Sequence, residues 1–285
     1  MNSGKIRLRL PQIFRPAKPW CALAPRFDRL VRDLGMSEKE DAVRLLAEEG
    51  VFGSAPHTIG VAATSGTVYL GMDIPNVGMG PLQSLVANLM NHGEIGLSAY
   101  CYGSGHEDAT LSEIDCALLY ALGKRPSRIA LGDGTNLEPQ RVMSPPLPKG
   151  RERLLKHYIG KGAEVFDVVC SQLMDHAFVS SQLAFNGGGG CALKLTSGEI
   201  IRASGIVLRG SDSPVISSAQ AAIVALHANG LVKSGNAVVE AAVCIGEDEQ
   251  AGQASIDLIS SLWPYTVLHI EKAVNCAPLK PQPRA

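Results

Sequence analysis

The sequence predicts an α/β fold: two tandem α/β/α sandwich units behind a helical N-terminal segment. Three observations carry that expectation. A run of short elements occurs twice along the chain. In each copy strand-like stretches alternate with helix-like ones, the order that produces a mixed sheet covered by helices. A Pro- and Gly-rich stretch, including Pro145-Pro146-Leu147-Pro148, separates the copies.

The bulk composition limits the function classes. The chain has 285 residues, enough for one large domain or two smaller ones. Apolar residues make up 46% and charged residues 19%. No uncharged apolar run reaches about 18 residues, so no membrane span is expected. Seven cysteines stand at 21, 101, 116, 170, 191, 244 and 276. None lies three residues from another, which leaves no C-x-x-C for zinc or redox work. An odd, scattered set without a secretory signal reads as reduced thiols in a cytosolic or matrix compartment.

Residues 1–25 form a basic arm with Lys5, Arg7, Arg9, Arg15 and Lys18, and no acid occurs before Asp28. Three readings fit it: an organellar import sequence, a contact arm for RNA phosphates or an acidic protein face, and a solvated tail. Residues 26–50 read as helical, with Ser37-Glu38-Lys39-Glu40 as a capping box.

The first unit spans 51–123 and the second 163–272, with a linker at 124–162 and a C-terminal tail at 273–285. Ser65-Gly66-Thr67-Val68-Tyr69 recurs as Ser197-Gly198-Glu199-Ile200-Ile201, each between β-branched or apolar runs, which predicts a hairpin. Gln83 to Leu89 answers to Gln220 to Leu226 as a helix, closed by Gly93 in one copy and Gly230 in the other. Ala99-Tyr100-Cys101 answers to Ala242-Val243-Cys244 as a buried strand. Second helices follow at Ser112 to Asp115 and Ser255 to Asp257. A helix near 163–178 is expected to lead into the second unit.

This order of elements, twice over residues 50 to 272, resembles the fused, two-domain cytidine deaminases. In that family a strand-turn-strand of the type G-x-V-Y-x-G-x-N-V-E precedes a helix beginning His-Ala-Glu. A second helix begins Pro-Cys-x-x-Cys. Here "SGTVYLGMDIPN" is similar to the first element, with Asp73 in place of the substrate-binding Asn and Pro75 in place of the Glu. Asp cannot donate an amide hydrogen bond and Pro has no side-chain acceptor, so both changes weaken nucleoside binding.

The triplet His92-Gly93-Glu94 has the H-x-E form that opens the zinc site of nucleobase deaminases. The resemblance puts that site in the helix's first turn, where this chain has Pro81, Leu82 and Gln83. His92 is expected about 15 Å away, at the other end. His227-Ala228-Asn229 matches two letters of His-Ala-Glu, also at a C-terminal turn. Pro214 to Leu226 resembles the noncatalytic half of the fused enzymes, in which Pro and Gln replace the zinc-binding His and the acid-base Glu; Pro81 and Gln83 give the first unit the same character. No cysteine pair opens either second helix. Three ligands for zinc and a Glu free to move protons are therefore not where the chemistry needs them.

Other candidates read more simply. Cys101, His106 and Cys116 could form an alternative zinc set, but Cys101 fits a buried strand and Cys116 a helix interior. "NGGGGC" at 186–191 lacks a Gly-Lys-Ser/Thr ending and leads into a strand, which makes it a flexible turn and not a phosphate cradle. His57 and His176 read as surface or satisfied histidines, and no G-x-S-x-G elbow occurs.

The expected molecule is a catalytically inactive cytidine deaminase homologue acting as a structural or interaction subunit. No catalytic or metal-ligating residue and no cofactor is assigned, and ligand-binding residues stay open. Protein partners or a homodimer are expected, with RNA contact through the arm, in a mitochondrial complex or otherwise in the cytoplasm. The alternatives are a divergent zinc-dependent deaminase converting cytidine to uridine and a regulatory subunit of an active paralogue.

Overall fold

The computed structural model describes residues 21–22, 57–62, 67–94, 97–104, 115, 118, 129–131, 136–137, 172–208, 216–232 and 236–275. They form a mixed α/β fold of two sheets and four helices. The helical segment expected at 26–50 lies outside these residues, as does most of the arm.

In the first sheet the central elements are β2 (His57–Ala62), β3 (Val68–Met72) and β4 (Leu97–Ser104). β2 pairs antiparallel with both others. Three short strands complete the order β1-β3-β2-β4-β5-β6. β1 (Cys21–Ala22) comes from the end of the basic arm and pairs antiparallel with β3. β5 (Ile129–Leu131) runs parallel to β4, and β6 (Asn136–Leu137) returns antiparallel to β5. Both lie in the stretch expected as a linker, so the sheet takes strands from beyond residue 123.

The second sheet has the order β10-β9-β7-β8. β7 (Gly190–Leu195) pairs antiparallel with β8 (Ile200–Ser204) and with β9 (Val238–Ile245), while β10 (Val267–Lys272) runs parallel to β9. The inner strands are apolar at nearly every position because both faces are covered. Cys191, Leu193, Ala241 and Val243 face one core, and Ala192, Ala242 and Cys244 face the other.

Helix α1 (Pro81–Asn91) packs on β2 and β3, and α3 (Ser218–Ala228) packs on β7 and β8. The two helices also pack on each other, so one core runs from Leu70, Leu82 and Leu85 to Leu193, Ile206 and Ile223. Both helices are buried nearly all round, as expected of helices with almost no solvent face. Fully burying one of these leucines contributes about 1.5–3 kcal/mol. α4 (Glu249–Leu262) lies beside α3 against β9, capped by Asp248, whose Oδ1 accepts from Ala251 N at 2.8 Å.

Helix α2 (Leu173–Leu183) covers the opposite face of the second sheet. It was expected near 163–178; residues 163–171 lie outside the described residues, and the helix continues to Leu183. Its contact with β7 is close enough that a Cβ at Gly190 would strike Ala177 O and Ser181 N. Gly71 on β3 meets α1 in the same way, at Pro81 O and Leu85. After β10 the chain turns through Ala273–Asn275, a 3-10 turn at the start of the expected tail. No helix among the described residues is long and apolar enough to cross a membrane.

Candidate functional site

The two helix starts where the resemblance places the His-Ala-Glu element are described, and both are closed by their own hydrogen bonds; the start of the first unit's second helix, at Ser112, lies outside the described residues. At α1, Gly80 is the N-cap, Pro81 occupies the first turn where no N–H is needed, and Gln83 Oε1 accepts from Gly80 N at 3.0 Å. The Ser84 hydroxyl is buried, 2.6 Å from Met72 O and 3.0 Å from Pro81 O, and its single proton fastens the helix to the end of β3.

The start of α3 is built more tightly. Ser217 Oγ accepts from Gln220 N at 3.2 Å, and Gln220 Oε1 accepts from Ser217 N at 2.8 Å, a reciprocal capping box. The other end of the same carboxamide, Nε2, donates to Val77 O at 2.8 Å. Val77 belongs to the 3-10 turn Pro75–Val77, just after β3. Behind this cap, Ser218 Oγ and Ser255 Oγ of α4 lie 3.0 Å apart, both buried. Ser255 Oγ also accepts from Ala219 N at 3.3 Å and lies 3.1 Å from Ala251 O. Short hydroxyls thus hold together the first turn of α3 and the early turns of α4.

The triplet at 92–94 sits where the sequence places it, at the far end of α1. His92 is the C-cap residue, with its N–H on Leu89 O and Met90 O. Its ring Nδ1 is 2.8 Å from Asn88 O, so Nδ1 carries the proton. The ring packs on Tyr69 at 5.2 Å between centroids. Gly93 takes φ 73°, and Glu94 N returns to Leu89 O at 3.0 Å, the pattern of a helix end. Glu94 is 8% exposed, and its Oε2 has no hydrogen-bond partner among the described residues. About 16 Å of helix separates this group from the first turn of α1.

The remaining candidates are dispersed. Asp73 and Pro75 are exposed, one after β3 and the other opening the 3-10 turn. His227 lies in the last turn of α3, and burial lowers its pKa. Burial, and then the neighbouring Arg202 charge, lower that of His176 against the opposing pull of Asp175. His57 opens β2, opposite Met72 and Ser104. Cys101 lies on β4, whereas His106 and Cys116 are outside the described residues. Cys191 and Cys244 are buried on opposite faces of the second sheet, and desolvation pushes the Cys191 thiol up to about 12. A thiol so hard to ionise is a poor nucleophile or metal ligand. Among the described residues no three His, Cys, Asp or Glu side chains cluster as a metal site.

The glycine run is a packed crossing, not a flexible turn. Gly188 lies against Gly205, and Gly187 and Gly189 lie against the Gly246 region after β9, where an added Cβ would meet backbone. Asn186, at φ 51°, is held by its side chain, whose Nδ2 donates to Val207 O at 2.8 Å. The run therefore seats three segments on one another, with Gly188 N donating to Phe185 O at 3.3 Å.

Sequence reasoning passed over the Gln220–Val77 link and the Ser218–Ser255 pair. Ser217-Ser218-Ala219-Gln220, an S-x-x-Q capping pattern, signals the local cap at Gln220 but not its reach to Val77. The serine pair has no signal, since two serines 37 residues apart declare nothing about each other. No protein-family model matches the chain, and no curated protein matches it.

Proposed function

We propose that this chain is a catalytically inactive homologue of the fused cytidine deaminases, built from a duplicated unit and retained as a structural or interaction subunit. The ladders of the two sheets support the duplication. Each has a hairpin, then a strand antiparallel to the hairpin's first strand, then a strand parallel to that one. Each also breaks register at the same rung: between Val61 and Ala62 against β4, and between Lys194 and Leu195 against β9. A bulge is a specific local feature, and its recurrence at one rung argues for common descent of the units.

The observation that carries the functional reading is the carboxamide of Gln220. Its oxygen caps α3 and its nitrogen holds Val77. At the helix position that the resemblance gives to a proton-moving Glu, this chain has an amide that is a poor proton carrier and is hydrogen-bonded at both its oxygen and its nitrogen. Gln83 does part of the same work on α1. Side chains that cap and fasten serve packing, and two such units present surface without chemistry. Function is argued from sites and not from fold.

The partner is a larger assembly, which we place in the mitochondrion and associate with RNA because of the basic charge of residues 1–25. The test is three measurements on full-length protein purified from its source without chelators: zinc per chain, uridine formed from cytidine, and co-purifying partners. The expected result is no stoichiometric zinc, no uridine, and a stable complex. About one zinc per chain together with uridine formation would overturn this reading in favour of a divergent deaminase.

A further inference from the structure

We propose that the corner where α4 turns into β10 is a docking knob, centred on Tyr265, for a protein of the host assembly that offers an uncharged apolar pocket. The inference rests on the reading of this chain as a duplicated interaction subunit. Tyr265 stands in the turn Trp263 to Thr266, which is closed by Thr266 N on Trp263 O at 3.0 Å and has Pro264 to fix its backbone. Thr266 Oγ1 donates to Val238 O at 2.8 Å and pins the turn to the start of β9. On this mount Tyr265 is 99% exposed, flanked by Val267 at 58% and Val239 at 40%. Val239 is the extra residue of the β9 bulge, since Leu195 pairs with Val238 and Lys194 with Glu240, and a bulge re-aims a side chain.

The first unit carries the same corner with a polar sequence. Its bulge on β4 has Ser98 as the extra residue, because Val61 pairs with Ala99 and Ala62 with Leu97. Matching the two bulges sets Cys101 on Ala242, and their parallel partners then set Ala130 on His269. Counted back from there, Lys124, Arg125 and Arg128 stand in sequence where the second unit has Trp263, Pro264 and Val267. The fold itself therefore asks for no apolar side chain at these places. An exposed apolar group that the fold does not need is explained by what it meets.

Chemistry narrows the partner. Residues 258–268 carry no charge, so this corner has nothing with which to neutralise a phosphate, unlike a surface that binds RNA. One tyrosine and two valines offer a bilayer less than a single acyl chain does, and one such chain holds a protein on a membrane only marginally. A tyrosine held clear of its own domain fits a concave protein surface, where the ring is desolvated and the hydroxyl finds an acceptor. The pocket it fits is apolar and uncharged at its walls, with a carbonyl oxygen for the hydroxyl.

The test uses the full chain and the complex purified with it from its source. Nitration by tetranitromethane, mapped by peptide mass spectrometry, is expected to mark Tyr265 readily in the free chain and to spare it in the complex. Tagged full-length variants then compete with the wild type for that complex. Tyr265→Ala is expected to compete about thirtyfold less well, the loss of a hot-spot aromatic, at an unchanged urea midpoint. Val239→Ser, which installs the residue of the first unit's bulge, is expected to weaken competition as well. A Tyr265 that is nitrated as fast in the complex as in the free chain overturns the proposal, as does an alanine variant that competes like the wild type. Protection of Tyr265 in the free chain, in an assembly of this chain's copies alone, or on phosphatidylcholine vesicles overturns it too. The absence of any complex is a different failure, which sinks the interaction-subunit reading and this inference with it.

Discussion

Gln220 on α3 donates its side-chain N–H to the carbonyl of Val77, 2.8 Å away and 143 residues earlier in the chain. This bond ties the start of one central helix to the turn that precedes the other. Asn91, at the end of α1, makes a second tie by donating to Ala221 O at 2.9 Å. With the continuous core between the sheets, these bonds make the two sheets one cooperative body.

Gln220→Glu tests that coupling. The carboxylate keeps the size and the capping oxygen but puts an acceptor against the Val77 carbonyl. We expect a loss of about 1–3 kcal/mol, read as a lower urea midpoint at unchanged slope. On the proposed function we also expect no deamination, since no metal-ligand cluster lies among the described residues to activate water beside such a carboxylate. An unchanged midpoint would remove Gln220 from the argument.

Ser255→Ala removes the oxygen shared by Ser218 and the Ala219 N–H. Both are buried, so neither finds water in its place. A loss of about 1–3 kcal/mol is expected. Ser218→Ala combined with Ser255→Ala is expected to cost less than the sum of the single changes, because the partners leave together. Strict additivity in a double-mutant cycle would show that the hydroxyls do not interact.

How far the sequence reveals these features depends on whether they are local. The helix ends are readable: Gly93 and Gly230 take φ 73° and 69°, the left-handed conformation that a terminal glycine signals. The hairpins are readable from Ser65-Gly66 and Ser197-Gly198 between β-branched or apolar runs. Strand correspondence is less so: matching Ala99-Tyr100-Cys101 to Ala242-Val243-Cys244 aligns Tyr100 with Val243. The ladders put Tyr100 opposite Gly60 and Ala241 opposite Leu193, which align Tyr100 with Ala241 instead. A two-residue slip leaves every side chain on its own face, so the apolar pattern cannot detect it. The glycine run misleads for a related reason. Its partners, Gly205 and Gly246, are distant in sequence, and nothing in "NGGGG" announces them.

The acid limb of stability should reflect two histidines. Burial is the main cause lowering the pKa of both His227 and His176 below the ordinary 6.5. Each group then takes up a proton more readily unfolded than folded. Stability is full above about pH 6.5 and falls as the pH drops through the folded values. His176→Gln and His227→Gln should each flatten the fall that begins below about pH 6.5, measured by urea midpoints across the acid range. Unchanged slopes in both would mean that neither histidine is desolvated.

Cys191 governs the opposite limb. Its thiol ionises near 12 when folded, against 9.0 for the free group. The folded state thus holds its proton more firmly, and stability falls as the pH rises past about 9. Cys191→Ala should show a shallower alkaline decline than the wild type. Native protein should leave Cys191 unmodified by iodoacetamide, as followed by peptide mass spectrometry, until denaturant opens the sheet. Rapid labelling in the native state would contradict its burial.

Gly190 separates close packing from backbone conformation as the reason for a glycine. Its φ is not positive, so Ala fits the backbone there, but its Cβ would run into Ala177 O and Ser181 N on α2. Gly198 is the opposite case: φ is 87° and nothing lies within 4 Å of an added Cβ. Gly198→Ala should therefore cost about 1–2 kcal/mol, the penalty of a left-handed L-residue. Gly190→Ala should cost more, because helix and strand must separate and backbone atoms cannot turn aside as side chains do. The ranking is read from thermal midpoints of the two variants. If Gly190→Ala were the milder change, α2 would not lie against β7 as closely as the structure has it, and the second sheet would have room on that face for something other than this helix.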